Sequence, residues 1–180
     1  MNPSTSKKTL SARVLHWSVA FTILLLIPMG FYMSDGHAYW LYDWHKTISM
    51  LLLVILVFRV LYRLIQGWPE ASGDYTKFEQ VTARVVHWLL LVAVLVLPIS
   101  GIMYSGLGGF GVPVFGLEVI PSNYINGEAQ AYSAYWSDIG KEIHSLSGWI
   151  LSGVVVLHVA GALKHHMVDK DNTLKRMLRG

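Results

Sequence analysis

HSLSGWILSGVVVLHVA runs from His144 to Ala160. It contains no Asp, Glu, Lys or Arg, and a histidine stands at or near each end. Widened to residues 140–165, it is long enough to cross a hydrocarbon core of roughly 30 Å as an α-helix, which takes about 20 residues. A helix is the expected form, because lipid offers no partner to an open sheet edge. His158 follows His144 by 14 residues. On a helix that is ~21 Å of rise and about 40° from the same face. This helix therefore presents two imidazoles on one face, each shallow on its own side of a membrane. An ionisable group inside a span is costly, and its presence there points to function.

Three further apolar stretches qualify as crossings, at approximately 11–33, 43–64 and 82–104. Pro28 and Pro98 fall near the far ends of the first and third, where they loosen a last turn without stopping the crossing. Hydrophobic residues make up 53% of the chain and charged residues only 14%, against about 25% in a soluble domain. The expected architecture is one all-α membrane domain over residues 1–180, a bundle of four transmembrane helices. There is no cysteine, which removes disulfides, thiolate metal sites and covalent c-type haem attachment. The segment before the first span carries Lys7, Lys8 and Arg13 and lacks a small-residue cleavage site, so that span is expected to be retained.

Basic residues orient the bundle. Lys7, Lys8 and Arg13 flank the first span, and Arg59, Arg63, Lys77 and Arg84 flank the second connection. Lys164, Lys170, Lys175, Arg176 and Arg179 lie at or beyond the end of the last span, while only Lys46 and Lys141 belong to the other side. Both termini are thus expected in the cytoplasm, and connections 34–42 and 105–139 outside. This layout follows a lipid boundary, and no nucleic-acid partner is expected. The tail DKDNTLKRMLRG reads as a solvated, charged cap near lipid headgroups.

The chain also repeats itself. ARVLHW (12–17) recurs as ARVVHW (83–88), each leading through an apolar run to PMG (28–30) or PISG (98–101). HKTIS begins at His45 and HSLSG at His144; 14 residues on stand Arg59 and His158 respectively. A two-helix unit used twice accounts for both correspondences.

Five histidines then lie at two depths: His45 and His144 toward the outer ends, His16, His87 and His158 toward the inner ends. Imidazole is a good ligand for haem iron, and a helix bundle can bury the apolar porphyrin. Two ligands from different helices would clamp each plate. His45 with His144 forms the outer pair; on the inner side His158 has two competitors, His16 and His87. Arg59, standing where the repeat would put another ligand, either pairs with a haem propionate or is an ordinary inner-side cation. A zinc or copper site would want three or four converging ligands, and the outer layer offers two. A proton relay would use acids within the spans, whereas Asp43, Asp138 and Glu142 lie at helix entrances.

These residues resemble the bacterial cytochrome b561 family and, more distantly, the cytochrome b subunits of nickel hydrogenases and formate dehydrogenases. The motifs are HW at 16–17, WHK at 44–46, HWLLLVAVLVLPISG at 87–101, the His144/His158 pair and LKHHMVDKDNTLKRML at 163–178. The resemblance covers nearly the whole chain. It implies two b-type haems in a four-helix bundle of the bacterial inner membrane. Carried over, the inner haem takes His16 and His158 and the outer haem His45 and His144. It also implies quinone near the inner haem, where His87 and His165 are the nearest spare polar groups for a quinone carbonyl.

With both axial seats filled by protein, electron transfer is expected rather than chemistry at the metal. Electrons would pass between a periplasmic donor and ubiquinone; an oxidoreductase activity as quinone reductase or superoxide oxidase is compatible with this. The outer segments carry Asp35, Asp43, Glu118, Glu128, Asp138 and Glu142 against Lys46 and Lys141. That acidic balance fits a basic redox protein or a small neutral donor better than an anion. The long 105–139 connection, with Tyr124, Tyr132, Tyr135 and Trp136, forms either a lid over the outer haem or an interfacial anchor. The alternatives to a stand-alone cytochrome are the membrane anchor of a larger dehydrogenase or hydrogenase and a histidine-lined transporter.

Overall fold

The computed structural model describes residues 9–36, 38–66 and 75–179, apart from the side chains of Arg63 and Gln66. Lys7, Lys8, the Arg63 side chain and residues 67–74 of the second connection lie outside the described residues. Four long helices cross: α1 (Leu10–Asp35), α2 (Leu41–Gln66), α3 (Lys77–Leu107) and α4 (Ala134–Met167). A short α5 (Thr173–Leu178) follows, and four short strands fill the connection between α3 and α4. Four crossings place α1's start and α4's end on one side, called the terminal end; the strands lie at the hairpin end.

All four helices overrun the apolar stretches, and polar caps set the starts of α1 and α3. Thr9 accepts from the Ala12 N–H to open α1. Thr76 and Glu79 form a reciprocal capping box that opens α3 five residues ahead of the expected start. α1 and α3 run on through Pro28 and Pro98.

Packing is densest between α3 and α4, substantial between α1 and α2, and lighter between α2 and α3. The two halves of the sequence repeat are thus two helix pairs in space. At the α3–α4 contact a Cβ on Gly140 would stand 2.7 Å from the Tyr104 amide nitrogen, so the backbones meet where only glycine fits. Val19, Ile23, Leu26, Leu52, Leu56, Ala93, Val94 and Leu151 form the central core. Phe21, Leu24, Phe58, Val92 and Val156 point outward, the arrangement of a bundle whose solvent is lipid.

The 105–139 connection has its own fold. β1 (Val112–Val114) pairs with β2 (Leu117–Ile120), and β3 (Tyr124–Ile125) with β4 (Glu128–Ala129), both antiparallel. Phe115–Gly116 and Asn126–Gly127 have positive φ at both central positions, as type I′ hairpins require. β1 is fastened to α2: the Lys46 ammonium donates to the carbonyls of Phe110 (3.3 Å) and Gly111 (3.0 Å), and the Thr47 hydroxyl to that of Pro113 (3.3 Å). Val112 is thereby buried.

The tail departs from a solvated cap. α5 lies against the start of α1, with Trp17 and Arg13 donating to its last carbonyls.

Candidate functional site

The deep histidines fall on two levels separated by the core. On α4, Leu151 stands seven residues from both His144 and His158; on α2, Leu52 stands seven from both His45 and Arg59. Both leucines are buried. A heptad step returns a helix to nearly the same face, so each of these helices presents polar, apolar, polar in register.

At the hairpin end the rings of His45 and His144 meet edge to face, with centres 6.2 Å apart and planes at 76°. His144 Nδ1 donates to the Leu97 carbonyl at 2.9 Å, with Ser100 Oγ at 3.3 Å. That bond fixes the tautomer and leaves Nε2 with its lone pair, the outer-shell arrangement of a metal-binding imidazole. His45 Nδ1 is buried and has no partner among the described residues. Two glycines flank the pair. A Cβ on Gly101 would meet the His144 ring at 3.2 Å, and one on Gly30 the His45 ring at 3.7 Å. Each follows the histidine of its HW motif by 14 residues, so the repeat places one glycine beside each histidine of this level.

At the terminal end the His16 and His158 ring centres are 6.3 Å apart, with planes at 64°. His87 approaches the same His158 more closely, at 5.5 Å. Its side chain is exposed on the flank of α3, where lipid would lie. Arg59 Nη2 donates to His16 Nδ1 at 3.1 Å.

The spacing can be tested against coordination geometry. An imidazole nitrogen binds a metal at about 2.0 Å, and its ring centre lies roughly 1.1 Å further back. Two imidazoles on opposite sides of one metal therefore have centres about 6.2 Å apart. His45–His144 and His16–His158 match that separation; His87–His158 falls short of it. No cluster of three or more His, Cys, Asp or Glu side chains suited to a metal ion occurs among the described residues. The donor set is thus two facing imidazole pairs, which suits a planar group gripped from both faces.

His165 lies elsewhere. Seven residues past His158, ~10.5 Å along α4, its Nδ1 donates to Asp169 at 2.7 Å and its ring packs on Tyr75 at 4.6 Å. No contact among the described residues brings His165 to His87. Sequence reading passed over Gly30, Gly101 and the Leu97 carbonyl. The signal for the glycines was available in the common 14-residue step.

Substituting Gly101 tests the cradle. Gly101→Val should displace the His144 ring and weaken cofactor retention at this level, while Gly101→Ala should be milder. Absorbance of the bound cofactor in each purified variant reads the difference.

The family model for prokaryotic cytochrome b561 matches residues 8–180. Cytochrome b561 homolog 2 of Escherichia coli (strain K12) is 33% identical over 168 residues, 91% of this chain and 86% of that protein. The "Probable superoxide oxidase CybB" of Yersinia pestis is 28% identical over 167 residues, 91% of each chain. Cytochrome b561 homolog 1 of Escherichia coli (strain K12) is 26% identical over 169 residues, 91% of this chain and 92% of that protein. With a match over nearly its whole length, the chain belongs to the prokaryotic cytochrome b561 family, membrane cytochromes that carry electrons on b-type haem.

Proposed function

We propose that this chain is a dihaem cytochrome that moves electrons across the bacterial inner membrane between a periplasmic donor and ubiquinone. The observation that carries this reading is the pair of ring separations, 6.2 Å and 6.3 Å, at two levels of one bundle. His45 and His144 would hold the haem of the hairpin end, and His16 and His158 that of the terminal end. The terminal end is assigned to the cytoplasm by its excess of Lys and Arg.

Bound haem supplies reversible one-electron chemistry. Everything else is the work of the chain. The four histidines would supply two nitrogens to each haem iron, leaving oxygen no open place on it. The Leu97 carbonyl holds His144 in the ligating tautomer. Leu52, Leu56 and Leu151 keep water out of the space between the levels. Ligation by His16 through Nε2 needs a proton on Nδ1, so Arg59 must give up its present bond; a haem propionate is the natural destination for that guanidinium. His87 is the deep histidine not assigned to a haem, exposed beside His158. It is suited to hydrogen-bond a quinone carbonyl arriving through lipid. His165 is the second candidate contact, provided it releases Asp169.

A second reading draws on the relative named "Probable superoxide oxidase CybB". The hairpin end argues for another donor. It carries six carboxylates against Lys46 and Lys141, and the Lys46 ammonium is already bound to two backbone carbonyls. Little positive field remains there to steer an anion, so a cationic redox protein or a neutral small molecule fits better.

Ubiquinol tests the quinone end. Added to the oxidised, purified protein, it should reduce haem b, seen as growth of the reduced α-band. Protein that dithionite reduces and ubiquinol never does would contradict the quinone assignment.

A further inference from the structure

α1 and α4 carry the two histidines of the terminal level, yet their backbones hardly pack together; α1 packs on α2, and α4 on α3. Toward the hairpin end, Phe31 of α1 and Trp149 of α4 meet with ring centres 4.6 Å apart. At the terminal end a link between the same two helices runs through α5. We infer that α5 is a strap that sets the distance between α1 and α4, and so holds His16 and His158 at the separation two ligands of one iron need. This rests on the ligand assignment proposed above.

The strap is tied at both ends. Its final turn is held to α1: Trp17 Nε1 donates to the Met177 carbonyl at 2.9 Å, and Arg13 Nη1 to that of Leu178 at 3.2 Å. Arg13 and Trp17 are one helical turn apart, and His16 lies on the turn between them. The His16 and Trp17 rings also meet edge to face at 5.4 Å. Whatever fixes Trp17 therefore fixes His16.

The start of the strap is braced to α4 and α3. The Asp171 N–H donates to the His165 carbonyl at 3.0 Å, closing the corner after α4. The Asp171 carboxylate accepts from the Thr173 N–H at 2.8 Å and from the Tyr75 hydroxyl. Burial and the bond to Asp171 raise the Tyr75 pKa, so its hydroxyl stays a donor at neutral pH. Burial opposes ionisation of Asp171, but the bonds from Tyr75 and Thr173 outweigh it and hold its carboxyl below the usual carboxylate range. Lys164 binds Asp169 at 3.0 Å and also Glu79 of α3. The corner is thus bonded to the α3–α4 pair, and α5 links it across to α1.

The repeat shows why one copy needs this. Trp88 occupies the place of Trp17 in the second ARVxHW motif and is about half exposed on the flank of α3. α3 already packs directly on α4. α1 has few backbone contacts with α4, and the Trp of its motif is tied to the tail.

Two variants of the full holoprotein test the strap. Trp17→Phe removes the indole N–H and keeps the ring. A chain ending at Asn172 removes α5. The readouts are haem content, the electron paramagnetic resonance of each low-spin haem, and the rate at which each haem is lost to an excess of apomyoglobin. The hairpin-end haem is the internal reference. Trp17→Phe should shift the spectrum of the terminal-end haem and speed its loss about tenfold, the worth of one hydrogen bond at the upper end of its range. The truncated chain should lose that haem and keep the other. Both haems unchanged in both variants would overturn the inference, as would equal weakening of the two. If the truncated chain does not insert, Trp17→Phe decides alone. His16→Ala, prepared in parallel, separates the two layers of argument. If it retains the terminal-end haem, the ligand assignment fails and the strap with it. If it loses that haem while the strap variants match wild type, only the strap fails.

Discussion

Alanine at His144 should leave a protein that inserts normally and binds one of the two proposed haems. The side chain removed is one of two imidazoles whose centres lie 6.2 Å apart. His45 would then be the one histidine left at this level, with no partner for its Nδ1 among the described residues to orient the ring. The Leu97 carbonyl and Ser100 hydroxyl on α3 would lose the Nδ1–H they share, but both retain helical bonds, so the loss falls on the cofactor rather than the fold. His45→Ala should behave alike. The terminal-level pair lies beyond the Leu52 and Leu151 layer and shares no side chain with this one, so the remaining haem should keep its spectrum. Haem-to-protein ratio and reduced-minus-oxidised spectra of each variant give the answer. Loss of both haems, or retention of both, would contradict two independent pairs.

The second large effect separates the twin histidines of the repeat. His16→Ala should lose the terminal-end haem. His87→Ala should keep both haems and slow quinone reduction about tenfold, the effect of one lost hydrogen bond to a polar carbonyl. The distinction rests on ring-centre separations from His158 of 6.3 Å for His16 and 5.5 Å for His87, the second too short for two imidazoles on opposite sides of one metal. Haem content sorts the ligands, and steady-state reduction of added ubiquinone tests the role of His87. The reverse pattern, with haem lost in His87→Ala and kept in His16→Ala, would interchange the two roles.

Much of this was legible in the residues because membranes impose simple rules. A charge-free run with histidines 14 residues apart reports both a crossing and two depths. The helix ends were less legible, since Thr76 with Glu79 closes a capping box outside the apolar run that hydropathy detects. Asn126–Gly127 is a strong hairpin signal, yet its neighbour turns at Phe115–Gly116, where a bulky residue takes a conformation its type disfavours. The choice between His16 and His87 could not come from spacing. Both lie at one depth; the resemblance assigns His16, and the ring separations from His158 favour the same proposal. The tail was the least legible part. Its charges suggest solvent, while the bonds that tie α5 to α1 run to backbone carbonyls, which carry no signature in the sequence.

The most direct test of the whole account is the haem-to-protein ratio of the purified chain, taken with its reduced-minus-oxidised spectrum after expression with ample haem. Two facing imidazole pairs predict two low-spin b-type haems per chain. Folded protein that is colourless, or that carries a single haem lost equally on replacing a histidine at either level, would contradict it.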